Sequence, residues 1–291
     1  MQTAPFPQPV PAVPRRRPRK GMYLLPGLFT TANLAFGYYA ISQVLMAQAN
    51  GNPAQNLDQA AKAIGFAILF DGFDGRIARM TGTSSEFGKQ LDSLADAITF
   101  GVAPALLAWV WGIRLLPQLA DAELQVRLAQ FGAIATFLFL VAGVSRLARF
   151  NIQINPQPSN PGRPGKKYFV GMPIPAGAGV VAATVHLSGG VPLTEWWISG
   201  LWLLLVVSLA FLMVSTWRFY SSKDIDLRRQ RPFRNIVFLG LLFAAIWFYS
   251  RYVLFVMALA YMISGLLWRL QYLFRRSGTT PEHQHQPSPV R

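Results

Sequence analysis

Long, uninterrupted apolar blocks dominate the pattern of this chain. The stretches LFTTANLAFGYYAISQVLMA (28–47), ISGLWLLLVVSLAFLMVS (198–215) and IVFLGLLFAAIWFYS (236–250) show no strand alternation. They approach or reach the roughly 18–20 residues that an α-helix needs to cross a bilayer. The pattern therefore predicts an all-α, polytopic transmembrane helical bundle of about eight helices. These helices are expected near 26–47, 58–81, 89–115, 125–151, 173–189, 195–219, 233–249 and 251–273.

The last two predicted helices meet at the very short connection Ser250–Arg251. This spacing favours a tight transmembrane hairpin, and one bent, partly interfacial element is the alternative. An even number of helices places both termini on one side of the membrane. The first apolar block follows a basic segment, as in a secretory signal, but it is too long for one and contains Asn33, so we expect a retained first helix.

Composition and charge placement support a membrane protein. The 291 residues are 52% hydrophobic and 13% charged, whereas soluble domains carry about 25% charged residues. The net charge is +15, and its basic clusters stand at the ends of apolar blocks, as the positive-inside rule expects of cytoplasmic segments. This placement indicates membrane lipids as partners, and it argues against nucleic acid. The clusters are PRRRPRK (14–20), GRPGKK (162–167), KDIDLRRQRPFR (223–234) and WRLQYLFRR (268–276).

The same pattern divides the chain into four parts. Residues 1–20 are proline-rich and basic and are expected to form a disordered cytoplasmic tail. Residues 21–235 form the main membrane domain, with a six-helix core. Residues 236–275 form the C-terminal transmembrane hairpin, and residues 276–291 form a second disordered tail. Cysteine is absent, so the chain has no disulfide and no thiol chemistry.

Four aspartates stand in surroundings that otherwise look like membrane. Asp71 and Asp74 lie in FDGFDGRIARM, and Asp92 and Asp96 lie in FGKQLDSLAD. Each pair lies on one helical face, and the short loop between the helices makes them antiparallel, so the pairs can face each other. An aspartate at the centre of a membrane helix costs about 2.5–3.5 kcal/mol on insertion scales. A divalent cation that prefers oxygen ligands, Mg²⁺ or Mn²⁺, would compensate for four such charges.

Small residues accompany these carboxylates. Gly75 and Gly88 remove side chains from the acidic faces, and Ala78 keeps the surface shallow. This predicts a polar crevice in which phosphates bridged by a metal could lie against backbone, as in phosphoryl transfer. The alternative is the proton or ion path of an ion-coupled transporter, which rarely needs such glycines.

Taken together, these residues resemble the signature of a known enzyme family. The pattern Asp71-x-x-Asp74-Gly75-x-x-Ala78-Arg79, eight residues, then Gly88-x-x-x-Asp92-x-x-x-Asp96 is similar to that of the CDP-alcohol phosphatidyltransferases. Further stretches resemble the integral-membrane phosphatidylserine synthases of bacteria and archaea within that family. These stretches are LFTTANLAFGYYAI (28–41), LDSLADAITFGVAPA (91–105), RLARFNI (146–152), KKYFVGMPIPAGAG (166–179) and DLRRQRPF (226–233).

The resemblance implies roles for individual residues. Asp71, Asp74 and Asp92 would bind the metal, expected to be two Mg²⁺ or Mn²⁺ ions, and Asp96 would be the general base with a possible metal contact. The CDP-diacylglycerol site would be formed by Asn33, Gly75, Ala78, Arg79, Ser85 and Gly88. For Asn33, an internal hydrogen bond between helices is an open alternative. Serine or the lipid diphosphate would be held by Arg146, Arg149, Lys166 and Lys167, for which headgroup anchoring is the alternative.

The activity implied by the resemblance is transfer of the phosphatidyl group from CDP-diacylglycerol to L-serine with release of CMP. The alternative within the family is a sister enzyme that uses glycerol 3-phosphate, inositol or an inositol phosphate. The resemblance further implies a homodimer in a prokaryotic cytoplasmic membrane, with the active site on the cytoplasmic side.

Overall fold

The structure is a computed structural model, and it describes residues 24–49, 51–81, 86–152, 168–220 and 232–277. The described residues are predominantly helical, with one small sheet, as the apolar blocks predict. The order of elements is α1 (Leu24–Ala49), α2 (Pro53–Thr81), α3 (Glu86–Asp96), π1 (Ala97–Val102), α4 (Ala103–Trp109), π2 (Val110–Arg114), α5 (Ala122–Ile152), β1 (Tyr168–Val170), α6 (Ile174–Leu187), α7 (Trp196–Val214), β2 (Arg218–Tyr220) and α8 (Pro232–Ser277).

Four helical stretches in the described part of the chain are long and apolar enough to cross a membrane. They are Glu86–Arg114, Ala122–Ile152, Trp196–Val214 and Val237–Tyr272. α1 and α2, also predicted as spans, are helices of 26 and 29 residues but do not reach that level of hydropathy. The fold is therefore an all-α polytopic bundle, in which α1 and α2 pack along each other.

The helical stretch from Glu86 to Arg114 changes type three times without ending. α3 passes into the π-helical segment π1 directly after Asp96, and a second π-helical segment, π2, follows α4. A π turn adds a residue to the helical repeat, and it therefore rotates the side chains that follow relative to those before it. The carboxylate-bearing face of α3 and the buried face of α4 are thus rotated relative to each other compared with a regular α-helix.

One prediction about the elements is wrong. Residues 195–219 were expected to be a single helix, but α7 ends at Val214, and Arg218–Tyr220 form a strand. This strand pairs antiparallel with Tyr168–Val170, which lies between the predicted helices 125–151 and 173–189. Both strands have three residues and lie beside apolar sequence, so hydropathy alone does not separate them from helix.

α8 consists of two helical halves. The backbone of Tyr249 leaves helical geometry (φ −131°, ψ 38°), which confirms a break at the predicted connection Ser250–Arg251. The second half runs beside α6, because Ser250 contacts His186 near the end of α6 and Trp268 contacts Tyr168 just before its start. The first half is largely exposed in this single chain.

A buried polar network joins three helices at the end of the bundle away from the predicted aspartate site. Nδ1 of His186 is bonded to Oδ1 of Asp58 in α2, and its Nε2 lies 2.9 Å from the Ser250 hydroxyl in α8. The second oxygen of Asp58 forms an ion pair with Lys62. Gly190 (φ +77°) turns the chain at this end, where a Cβ atom would collide with the carbonyl of Ala54.

Candidate active site

Three of the four predicted metal ligands converge. Asp71 comes from α2, and Asp92 and Asp96 come from successive turns of α3. One carboxylate oxygen of each lies within 4.8 Å of the others. Asp96 is only 8% exposed, whereas the other two are partly open to the surface. The expected opposition of α2 and α3 therefore brings their carboxylates together at one end of the bundle.

Asn33 of α1 lies against this cluster. Its side-chain amide nitrogen donates a hydrogen bond to Oδ1 of Asp96 at 3.1 Å. The hydroxyl of Thr99 in π1 donates to the backbone carbonyl of Asn33 at 3.2 Å, so α1 is attached to the α3–π1 junction at two points. The hydrogen bond between helices, which was the alternative for Asn33, is therefore present, and it is made to a predicted site residue.

α1 also approaches π1 very closely one turn further along. A Cβ atom built at Gly37 would overlap the side chain of Thr99. Glycine at this position therefore permits the helix spacing that the Asn33–Asp96 hydrogen bond requires. The sequence contains this glycine in an ordinary apolar block, and nothing in the hydropathy pattern distinguishes it.

The predicted basic residues of α5 have different surroundings. Arg146 is 9% exposed and interacts electrostatically with Asp96 and with Tyr261 of α8. Its Nε has no hydrogen-bond partner in the described part of the chain. Arg149 is partly exposed and donates from Nη1 to the backbone carbonyl of Val214 at 3.3 Å. Arg146 therefore lies near the acidic cluster, whereas Arg149 connects α5 to the end of α7.

The remaining predicted residues are only partly visible. Gly88 lies on α3 one turn before Asp92 and is partly buried. The other predicted site residues lie outside the described residues, either wholly or in their side chains. They are Asp74, Gly75, Ala78, Arg79, Ser85, Lys166 and Lys167.

Two residues near the site were not predicted from the sequence. Thr99 supports Asn33, and Tyr261 lies within electrostatic range of Arg146. Tyr261 belongs to α8, more than a hundred residues along the chain from Arg146. A threonine in an apolar helix and a tyrosine in a membrane span are both common, so neither gives a signal on its own.

The residues that converge here fit a divalent cation. Carboxylate oxygens at this mutual distance repel one another, and they match the hard oxygen ligands that Mg²⁺ and Mn²⁺ prefer. The amide oxygen of Asn33 is buried beside them and has no hydrogen-bond partner among the described residues, so it offers a further oxygen donor. Asp71, Asp92 and Asp96 are thus the described side chains that would hold the ion.

These features define a class of protein: a polytopic helical membrane protein in which facing helices bring together an acidic cluster that fits a divalent cation. A comparison with protein families matches residues 23–200 to CDP-alcohol phosphatidyltransferase. The chain belongs to the CDP-alcohol phosphatidyltransferase family.

Comparison with individual proteins shows which members of the family this chain is similar to. The chain is 33% identical over 226 residues to a CDP-diacylglycerol--serine O-phosphatidyltransferase of Helicobacter pylori (strain ATCC 700392 / 26695), covering 78% of this chain and 84% of the relative. Proteins of the same name from Saccharomyces cerevisiae and Bacillus subtilis are 34% and 31% identical over 157 and 154 residues. The alignment with the Saccharomyces cerevisiae protein covers 54% of this chain and 51% of that relative. The alignment with the Bacillus subtilis protein covers 53% of this chain and 71% of that relative.

Proposed function

We propose that this protein transfers the phosphatidyl group from CDP-diacylglycerol to L-serine and releases CMP. The observation that carries this proposal is the convergence of three carboxylates from α2 and α3 at one end of a membrane bundle. The names of the relatives support serine as the acceptor. Such a cluster could hold a metal ion against the diphosphate of the donor, and one of its carboxylates could accept the proton of the acceptor hydroxyl.

The donor would be bound at the face shared by α2 and α3. Asp71, Asp74 and Asp92 would hold one or two Mg²⁺ or Mn²⁺ ions, which when bound offset the charge of the diphosphate and polarise the phosphorus under attack. Gly75, Ala78 and Arg79 would accommodate the nucleotide, with Gly88 opposite them and Ser85 in the loop between. The partly buried position of Gly88 on α3 supports this arrangement.

Asp96 would act as the general base. The serine hydroxyl is a weak nucleophile, so a carboxylate must accept its proton during attack. The hydroxyl oxygen forms a bond to the phosphatidyl phosphorus, and the bond from that phosphorus to the oxygen of CMP breaks. The proton moves to the carboxylate of Asp96, whose orientation is held by the Asn33 hydrogen bond. One displacement completes the transfer, without a covalent intermediate.

Arg146 would bind the serine carboxylate or the lipid diphosphate. It is a buried cation whose Nε is not used by any described residue, and it lies within electrostatic range of Asp96. A cation here would bring an anionic group close to the base while leaving the hydroxyl of the substrate free. Lys166 and Lys167 are proposed as further contacts, and Arg149 as a support of this end of α5.

The test follows CMP release by purified protein with CDP-diacylglycerol, Mn²⁺ or Mg²⁺, and each candidate alcohol. Release that requires both metal and L-serine, and that falls about 10²- to 10⁴-fold in Asp96→Asn, is the expected result. Release with glycerol 3-phosphate, inositol or an inositol phosphate would keep the mechanism but change the acceptor. An absence of release with every alcohol would contradict the proposal and favour an ion-coupled transporter.

We extend the proposal to the location and assembly of the protein. It would be a homodimer in a prokaryotic cytoplasmic membrane, with the aspartate end and both termini on the cytoplasmic side. Because the chain has no cysteine, Lys89→Cys and Gln118→Cys each introduce a single exposed thiol. A membrane-impermeant maleimide should label Cys at 118 but not at 89 in intact cells, and the mass of the detergent-solubilised complex tests the dimer.

A further inference from the structure

A buried arginine outside the aspartate cluster has no anionic partner among the residues that the structure describes. Arg218, the first residue of β2, is 1% exposed. Its guanidinium lies over the ring of Tyr168 from β1 and 4.6 Å from the ring centre of Trp268 from α8. Aromatic rings attract a cation through their faces, but they accept no hydrogen bond at the edge of the guanidinium plane. The stacking therefore leaves the donors of that edge unsatisfied.

The unsatisfied donors are on one edge of the group. Nε and Nη2 of Arg218 are both buried, and neither has a hydrogen-bond partner in the described ranges. Their N–H bonds point the same way, and they form the two-pronged edge that binds a phosphate or carboxylate through parallel hydrogen bonds. Burial lowers the pKa of Arg218 to about 10, so the side chain remains a cation at neutral pH. A buried cation of this kind is costly unless an anion compensates for it.

The surroundings of Arg218 indicate the depth in the membrane at which a compensating anion would lie. Trp268 lies four residues before the end of the apolar span Val237–Tyr272, and Arg218 follows the end of α7 at Val214. Both residues therefore stand at the level of the lipid headgroups, where tryptophan is enriched in membrane proteins. At that depth the phosphate of a phospholipid is the most abundant anion.

We propose that Arg218, Tyr168 and Trp268 form a phosphate-binding site at the membrane interface, occupied by the phosphodiester of a phospholipid headgroup. The two free donors of Arg218 would bind two phosphate oxygens, and the rings would hold the guanidinium plane in place. This site contains none of the aspartates, and it does not depend on which alcohol the enzyme uses.

The site also involves elements that are distant in sequence. β1 and β2 are held to α8 by the stacked rings of Phe219 and Tyr261 and by Gly265, where a Cβ atom would overlap Phe219. Trp268 is one turn beyond Gly265, so Arg218, which lies over the ring of Trp268, is a charge buried at the contact between the sheet and α8. An anion bound at Arg218 would neutralise this charge. Phospholipid would therefore stabilise the attachment of the second half of α8 to the sheet.

The test measures thermal unfolding of the purified full-length protein in a neutral, phosphate-free detergent. Three additions are compared: inorganic phosphate, phosphatidylglycerol in mixed micelles, and diacylglycerol at the same mole fraction. Phosphatidylglycerol is expected to raise the midpoint Tm by about 3–5 °C, whereas diacylglycerol does not. An equal rise with inorganic phosphate alone would assign the site to the soluble anion.

The matched variants are Arg218→Met and Arg269→Met. Arg218→Met keeps an apolar side chain of similar length and should abolish the shift, without lowering Tm in the absence of lipid. Arg269→Met removes a neighbouring cation that lies 5.9 Å from the ring of Tyr272, and it should retain the shift. Arg218→Lys keeps the charge but not the two-pronged edge, so it should retain about half of the shift or less.

Besides an equal rise with inorganic phosphate alone, two results would overturn the proposal. One is an equal lipid-induced shift in the wild type and in Arg218→Met, since the stabilisation would then arise elsewhere. The other is the absence of any shift with phosphatidylglycerol or phosphate in the wild type. Where Arg218→Met does not fold, Arg218→Lys decides. A full lipid-induced rise of Tm in Arg218→Lys would exclude the two-pronged contact and would overturn the proposal.

Discussion

The amide nitrogen of Asn33 donates a hydrogen bond to Oδ1 of Asp96 at 3.1 Å, and it thereby attaches α1 to the proposed general base. We predict that Asn33→Ala lowers kcat for CMP release about 10- to 100-fold, because a hydrogen bond to a charged group is worth about 1.5–3 kcal/mol. Steady-state kinetics with both substrates varied measure the effect. Thr31→Ala is the control, since the Thr31 hydroxyl donates to the carbonyl of Gly27 in its own helix. Equal losses in the two variants would refute a specific role for Asn33.

The close approach of α1 to π1 should be equally sensitive. Gly37→Ala places a methyl group where the side chain of Thr99 lies, so the two helices must separate. We expect kcat to fall about tenfold or more, because a 1 Å displacement at a reacting centre can cost about 100-fold. Gly65→Ala in α2 is the matched control, since its Cβ meets nothing within 4 Å. Activity unchanged in Gly37→Ala would mean that the helix spacing does not position the base.

Removal of the metal should abolish activity reversibly. EDTA is expected to stop CMP release, and added Mg²⁺ or Mn²⁺ should restore it. Asp71→Asn weakens one carboxylate of the cluster, so the metal concentration for half-maximal activity should rise about tenfold or more. Asp121→Asn is the control, because Asp121 is exposed and caps the start of α5. A metal titration curve for Asp71→Asn that coincides with the wild type would exclude Asp71 as a ligand.

Arg146 should affect substrate binding more than folding. Arg146→Gln is expected to raise KM for serine or for CDP-diacylglycerol about tenfold or more, because it removes the buried cation within electrostatic range of Asp96. Arg127→Gln on the same helix is the control, since Arg127 is exposed and pairs with Glu123. The substrate whose KM rises identifies the anion that Arg146 binds. A variant with both KM values unchanged would contradict the proposed role.

The network at the opposite end should affect stability instead. His186→Ala removes the bonds to Asp58 and Ser250 and leaves a buried carboxylate with one partner fewer. We predict a loss of about 2–3 kcal/mol, which lowers Tm by several degrees, with no change of acceptor preference. Ser250→Ala should cost less, since it removes only one neutral partner. Thermal unfolding and the ratio of rates with two acceptors separate the two effects. A changed acceptor preference in His186→Ala would contradict the separation of the two ends.

Most of the helices were predictable from hydropathy, whereas the register and the contacts between them were not. The long apolar blocks indicate roughly where the helices lie, but they did not reveal the end of α7 at Val214 or the π-helical segment after Asp96. The hydrogen bond from Asn33 to Asp96 spans 63 residues of sequence, so local periodicity could not reveal it. The acidic cluster was predictable because buried carboxylates are costly in a membrane and need compensation. Arg218 carries no comparable signal, since an arginine beside an apolar block resembles an ordinary interfacial anchor.

The two attachments of α8 have a mechanical consequence. Its second half is bonded to α6 through Ser250 at one end, and it is packed on the strands through Gly265 and Trp268 at the other. A chain severed near Tyr249 would therefore leave a C-terminal fragment that co-purifies with the core without a covalent link. The second half of α8 is therefore held along the core from α6 to the sheet, whereas the first half is largely exposed.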